Sequence, residues 1–132
     1  MPHILIADDD PLLSEIVRWK LELAGHQVRV ATDGEAALAE VRREPPILVA
    51  LDSMLPVLSG PEVLREIKAD AATRAVPVIM LTARKGQSDI VDALRGGAAD
   101  YLTKPFLPDE LATRVAMVLA RAGAGTGRAD AA

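Results

Sequence analysis

The sequence predicts an α/β fold: a five-stranded parallel sheet flanked by five helices, in three layers. Three observations carry that prediction. Short apolar runs of strand length alternate with segments of helical period along 132 residues. The runs are apolar at consecutive positions, as strands covered on both faces must be. Glycine, proline and aspartate stand at the junctions, where turns and helix caps need them.

The elements follow in order. His3–Ala7 reads as the first buried strand. Asp10 then caps a helix that has Pro11 at its first position. Leu12, Leu13, Ile16, Val17, Leu21 and Leu23 form a broad apolar face on it, with Trp19 packing at the edge, and Gly25 stops it. Val28–Ala31 is the second strand. Asp33-Gly34 starts the helix Glu35–Arg43, and Pro45-Pro46 breaks the chain before the strand Ile47–Leu51. A loop, Asp52–Gly60, leads to a helix from Pro61 to about Lys68. Val76–Leu81 is the fourth strand, and Gln87–Arg95 a helix that ends at Gly96-Gly97. Asp100–Thr103 is a short fifth strand. Pro108 opens the last helix, striped by Leu111, Val115, Val118, Leu119 and Ala122. The remainder, 123–132, is rich in Gly and Ala without apolar period, which predicts a flexible C-terminal tail or linker stub. The domain is therefore expected over 1–122.

Composition narrows the function classes. Half the residues are hydrophobic, enough for a sizeable core, and a single Trp, Tyr and Phe make that core aliphatic. A net charge of −4 with no Lys/Arg run argues against direct nucleic-acid binding. The absence of cysteine excludes disulfides, thiolate metal sites and cysteine nucleophiles. Asp8, Asp9 and Asp10 interrupt the apolar N-terminus, so no signal peptide is read, and no run approaches membrane-span length. A soluble, cytoplasmic protein is the expectation.

In an open parallel sheet, ligands bind beyond the carboxyl ends of the strands. Those ends carry Asp8 and Asp9, then Asp52, Thr82 and Lys104. Carboxylates gathered at one edge repel one another, and a hard cation with oxygen ligands, Mg²⁺ above all, relieves that conflict. A carboxylate can act as a nucleophile toward phosphorus, forming an acyl phosphate. The charge on the transferred group then needs cations and hydroxyl donors nearby. Asp52 with a cation, Lys104 and Thr82 supplies those parts.

The stretches Ile4–Asp10 (ILIADDD), Ile47–Gly60 (ILVALDSMLPVLSG), Pro77–Ala83 (PVIMLTA) and Gly97–Phe106 (GAADYLTKPF) carry a resemblance. In this order and spacing the chain resembles the response regulator receiver domain of two-component signalling, over roughly residues 3–121. The resemblance implies the flavodoxin-like strand order 2-1-3-4-5. It implies a phosphorylation-dependent signalling switch in which Asp52 is the phosphoacceptor. Asp9, Asp52 and the Met54 main-chain carbonyl would hold Mg²⁺, with Mn²⁺ as a substitute ion and Asp8 acting through water. Lys104 would pair with the phosphoryl group, and the Lys104–Pro105 bond would be cis. Thr82 and then Tyr101 would move as the switch. The implied partners are a sensor histidine kinase or histidine phosphotransfer protein, and a downstream effector or an output domain outside this chain. Pro11, Leu12, Ser14, Phe106 and Leu107 flank the pocket as docking residues. A monomer or a weak phosphorylation-dependent dimer is implied. A dimer of the kind found with winged-helix regulators would pair Asp100 with Arg114 across protomers, but Ile90 stands where that dimer uses a basic residue facing the Glu110 position. Pro46 and Ser59 also depart from the common pattern, and Met54 and Arg84 flank the site where they could alter water access.

Other readings compete. Asp10 reads better as an N-cap than as a ligand, and His3 and His26 receive no role. A phosphatase with an aspartyl-phosphate intermediate would place a second Asp two residues beyond the nucleophile, where this chain has Met54. Nucleotide or flavin binding lacks a G-x-G-x-x-G after the first strand, and the aspartates there would repel phosphate. A degenerate, phosphorylation-independent receiver would have no need of the acidic set, which is intact. The chain is therefore read as no enzyme beyond catalysing its own phosphorylation and dephosphorylation.

Overall fold

The computed structural model describes the backbone of residues 2–83 and 87–131, and the side chains of residues 2–83 and 91–122. Strands β1 (Ile4–Ala7), β2 (Val28–Ala31), β3 (Leu48–Asp52), β4 (Val78–Thr82) and β5 (Asp100–Thr103) alternate with helices α1 (Pro11–Leu23), α2 (Gly34–Arg43), α3 (Gly60–Ala69), α4 (Gln87–Arg95) and α5 (Pro108–Ala131). The sheet is parallel throughout, in the order β2-β1-β3-β4-β5. Both expectations, the alternation and the strand order, hold.

The apolar strands divide their side chains between two cores, as the two-residue period requires. Leu5, Ala7, Val49, Leu51, Val78 and Met80 meet α2 and α3 through Ala37, Leu38, Val41, Val63, Leu64 and Ile67. Ile4, Ile6, Leu48, Ala50, Ile79, Leu81 and Leu102 meet α1 and α5 through Val17, Leu21, Leu111, Val115 and Val118. With about 25 cal/mol per Å² of apolar burial, these two layers supply the main drive for folding.

Three local expectations change. The apolar face of α1 is narrower than its composition suggests. Ser14, Val17 and Leu21 are buried, whereas Leu12, Ile16, Trp19 and Leu23 are exposed, Trp19 at 62 %. The helix shares its sheet face with α5, so only the strip turned to that seam finds partners. Asp52 and Thr82 are the last residues of strands rather than the first of loops: they pair in the ladder with Leu81 and Thr103. The backbone of α5 runs to Ala131, past the glycines at which the sequence predicts a tail; Ala122, expected in its apolar stripe, is exposed.

Candidate functional site

The ladder brings the charged strand ends together. β1 lies between β2 and β3, so Asp8, just beyond Ala7, falls beside Asp52 at the end of β3. Carboxylate oxygens of Asp8, Asp9 and Asp52 lie within 4.8 Å of one another. Asp8 and Asp52 are buried, at 1 % and 4 % exposure, while Asp9 is exposed.

Lys104 reaches the cluster from the end of β5, on the far side of β4. Its Nζ donates to Asp8 Oδ2 at 2.8 Å and stands 3.4 Å from Asp52 Oδ2. The Lys104–Pro105 peptide is cis, and the Lys104 N–H donates to the Thr82 carbonyl at 2.7 Å. Thr82 is buried at the end of β4. Two turn hydrogen bonds organise the carboxylates further. The Asp10 N–H donates to Asp8 Oδ1 at 3.0 Å, and the Met54 N–H to Asp52 Oδ1 at 3.1 Å.

The electrostatics follow from this crowding. Burial pushes the Asp52 carboxyl above the usual range; the Met54 N–H opposes the shift, the Asp8 charge adds to it, and Lys104 opposes it. Burial pulls Lys104 down, but the hydrogen bond and charge of Asp8, with Asp52, outweigh it and leave the ammonium raised. One ammonium thus serves two buried carboxylates while the exposed Asp9 adds a third negative group. That donor set, all oxygen and with excess negative charge, fits a hard divalent cation.

The other expected residues fall as follows. Tyr101 is half-buried against the β4 side of the sheet and lines, with Thr82, Met80, Leu64 and Lys68, a cavity of about 750 Å³ between α3 and α4. Met54 exposes 64 % of its surface beside the acidic cluster. Ser59 caps α3, accepting from the Glu62 N–H at 3.4 Å. Pro11, Leu12 and Leu107 are exposed, and Phe106 packs partly against the α1–α5 core. Ser14 is a correction. It is 4 % exposed, its hydroxyl 3.4 Å from the Asp8 carbonyl, so it supports the site from beneath and faces no partner. Arg114 donates to both oxygens of Asp100 at 3.1 Å within the chain. Arg84 and the side chain of Ile90 lie outside the described residues. No helix among the described residues is long and apolar enough to cross a membrane.

Sequence reasoning missed Gly34 and Val57. Gly34 opens α2 with its N–H donating to the Pro56 carbonyl at 3.1 Å, and Val57 has φ +71°. The signal was faint: Asp33-Gly34 was legible as a helix start, but its partner lay in another loop.

Comparison with known proteins agrees with this geometry. Residues 4–116 match the response regulator receiver domain family. The chain is 43 % identical over 121 residues to the DNA-binding dual master transcriptional regulator RpaA of Synechocystis, covering 92 % of this chain and 50 % of that protein. It is 45 % identical over 119 residues to the DNA-binding response regulator MtrA of Mycolicibacterium smegmatis, covering 90 % and 51 %. The chain therefore spans about half the length of these curated relatives. Among solved structures, the receiver domain of Francisella response regulator 1452 superposes with a TM-score of 0.85 at 34 % identity, covering 92 % of this chain and 98 % of that one. A CheY-like receiver domain from Methanospirillum hungatei gives 0.87 at 27 % identity, covering 95 % and 98 %. A parallel sheet in this order, an acidic cluster bridged by Lys104 at its carboxyl edge, and these likenesses lead to one assignment: the chain belongs to the response regulator receiver domain family of two-component signalling.

Proposed function

We propose that this domain is a phosphorylation-dependent switch whose phosphoacceptor is Asp52. The observation that carries the reading is the position of Lys104 Nζ, 2.8 Å from Asp8 and 3.4 Å from Asp52, beside three carboxylates within 4.8 Å of one another. Asp9, Asp52 and the Met54 carbonyl, with Asp8 through water, are the groups that would hold Mg²⁺, or Mn²⁺ in its place. Bound there, the cation supplies charge neutralisation at the phosphoryl oxygens.

The chain's own residues do the rest. An Asp52 carboxylate oxygen attacks the phosphorus of a phosphohistidine; the new O–P bond forms as the P–N bond breaks and the imidazole leaves. Lys104, already paired with both buried carboxylates, transfers part of its pairing to the incoming oxygens. The Thr82 hydroxyl donates to another, and Tyr101 follows by a change of rotamer beside the α3–α4 cavity. Water later cleaves the acyl phosphate and restores Asp52. Signalling is then a population shift driven by contacts that only the phosphorylated state makes.

The donor would be a sensor histidine kinase or a histidine phosphotransfer protein, docked on Pro11, Leu12, Phe106 and Leu107. Because the chain covers half of relatives described as DNA-binding regulators, the output belongs to a further domain of a longer protein or to a separate effector. This unit itself would bind no nucleic acid, act in the cytoplasm, and be a monomer or a weak phosphorylation-dependent dimer. The Asp100–Arg114 pair within the chain supports the monomer, since a cross-protomer pairing must first break it.

The test is intact-mass analysis after incubation with Mg²⁺ and acetyl phosphate or phosphoramidate. The expected outcome is one added phosphoryl mass for the wild type and none for Asp52→Asn. Equal labelling of the two proteins, or labelling unaffected by chelation of the metal, would sink the reading.

A further inference from the structure

The loop that leaves Asp52 is held in a strained path. The Leu58 N–H donates to the Pro56 carbonyl at 2.8 Å across Val57, whose φ of +71° makes this a tight three-residue turn. A β-branched residue adopts that conformation only where its surroundings enforce it. Here the enforcement comes from α2. The Gly34 N–H donates to the same Pro56 carbonyl at 3.1 Å. A Cβ on Gly34 would lie 1.8 Å from the Leu58 carbonyl oxygen and 2.7 Å from the Leu58 Cβ. No side chain fits between helix and loop. At the loop's other end a Cβ on Gly60 would meet the Asp52 carbonyl oxygen at 2.3 Å, while the Gly60 N–H holds the Ser53 carbonyl at 3.2 Å.

We propose that Gly34 is a positioning residue for the acidic site: its bare backbone lets α2 clamp the turn at Val57, and the clamp fixes the loop that carries Met54 beside Asp52. The inference rests on the reading of Asp8, Asp9 and Asp52 as a cation site. The link is short. Pro56 lies two residues beyond Met54, and the Met54 N–H is bonded to Asp52 Oδ1. A displacement of Leu58 by an added methyl must be absorbed at Val57 or passed back to Met54. Val57, already at a strained φ, has little room to absorb it. The end of β2, which leads into α2, also touches the other arm of the site, because the Ala31 carbonyl accepts from the Asp8 N–H at 3.1 Å.

The experiment compares Gly34→Ala with Ala39→Gly, an exposed α2 substitution that loosens the helix away from the loop. Both are studied at temperatures giving equal distance from their melting points. Mg²⁺ binding is read by calorimetry, and amide hydrogen exchange at Met54 by NMR without metal. Gly34→Ala is expected to weaken Mg²⁺ binding about tenfold, in the range of other supporting-residue losses, and to speed Met54 exchange. Ala39→Gly should leave both at wild-type values. Adding Val57→Gly to Gly34→Ala should recover part of the affinity, because glycine can absorb the displacement locally. Val57→Gly alone relieves the positive φ and supplies the second variant. It should melt no lower than wild type yet bind Mg²⁺ more weakly, a combination that a purely structural clamp would not give.

Wild-type Mg²⁺ affinity in Gly34→Ala, or an equal loss in Ala39→Gly, overturns the proposal, as does unchanged affinity in Val57→Gly. If the wild type itself bound no Mg²⁺, the cation reading would fail, and the metal-free Met54 exchange would still decide whether Gly34 sets the loop.

Discussion

The chemistry of the site lies in the imbalance between one ammonium and the carboxylates around it. Lys104 is 21 % exposed and touches two acids that are almost wholly buried. Truncating it leaves those acids without their cation, and a lost charge-assisted hydrogen bond of this kind costs about 2 kcal/mol. Lys104→Met is therefore expected to lower the urea midpoint in metal-free buffer, and Mg²⁺ should return much of the loss. Asp52 gives the opposite sign. Its pKa is raised, by burial first and by Asp8 in addition, so the folded state favours its neutral form. That contribution is complete below the ordinary carboxylate range and is lost as pH rises through the raised value. Without metal, Asp52→Asn should be more stable than wild type at neutral pH, and the gap should close as pH falls toward about 4. Urea titrations of both proteins across that window check it; a gap that widens on acidification would contradict the cause assigned here. Asp8, Asp9, Asp52, Thr82 and Lys104 were all legible as residues because each ends an apolar run. The inward burial of Ser14 was not, since a serine within a helix carries no sign of which neighbour it meets.

At the scale of elements, caps and turns decide where each helix starts, and they separate aspartates of different use. Asp10 Oδ1 accepts from the Leu12 and Leu13 N–H groups at 3.1 and 3.2 Å, the N-cap role that Asp10-Pro11 predicted. Asp10→Ala should cost about 1 kcal/mol of stability while leaving phosphoryl labelling of Asp52 intact; thermal melting and intact mass read the two effects. Loss of labelling would move Asp10 into the site. The same helix shows where pattern alone falls short. Leu12, Ile16, Trp19 and Leu23 recur at a helical spacing as regular as that of Ser14, Val17 and Leu21, yet only the second strip is covered. Periodicity reports that a helix is apolar on a side; which side meets the sheet depends on where α5 lies. Likewise the sequence places Val57 in a loop without showing its positive φ, and the close approach of Gly34 to the Pro56 and Leu58 backbone comes from another element.

For the whole molecule, stability rests on two aliphatic layers joined through a buried sheet. Leu111 is fully buried in the α1–α5 layer, at the seam that also holds Val17, Leu21 and Leu102. Leu111→Ala should destabilise the domain by about 3 kcal/mol, measured as the shift in a single cooperative urea transition. Because the same layer lies under β1 and β5, the strands that lead into Asp8 and Lys104, the loss should be global rather than confined to α5. A second transition would show that the layers unfold independently.

The sequence by itself determined the alternation of strands and helices, the buried character of the sheet, the helix starts at Asp10 and Asp33, and the acidic and basic residues at the strand ends. These are local properties: period, composition, and the chemistry of a cap or a turn. Only the tertiary structure decided which helical strip is covered, that Arg114 meets Asp100 within the chain, that Lys104 bridges Asp8 and Asp52, and that Gly34 meets Leu58. Each of those joins residues distant along the chain. Their meeting depends on the order of strands in the sheet and on helix–loop contacts, which no short window of sequence contains.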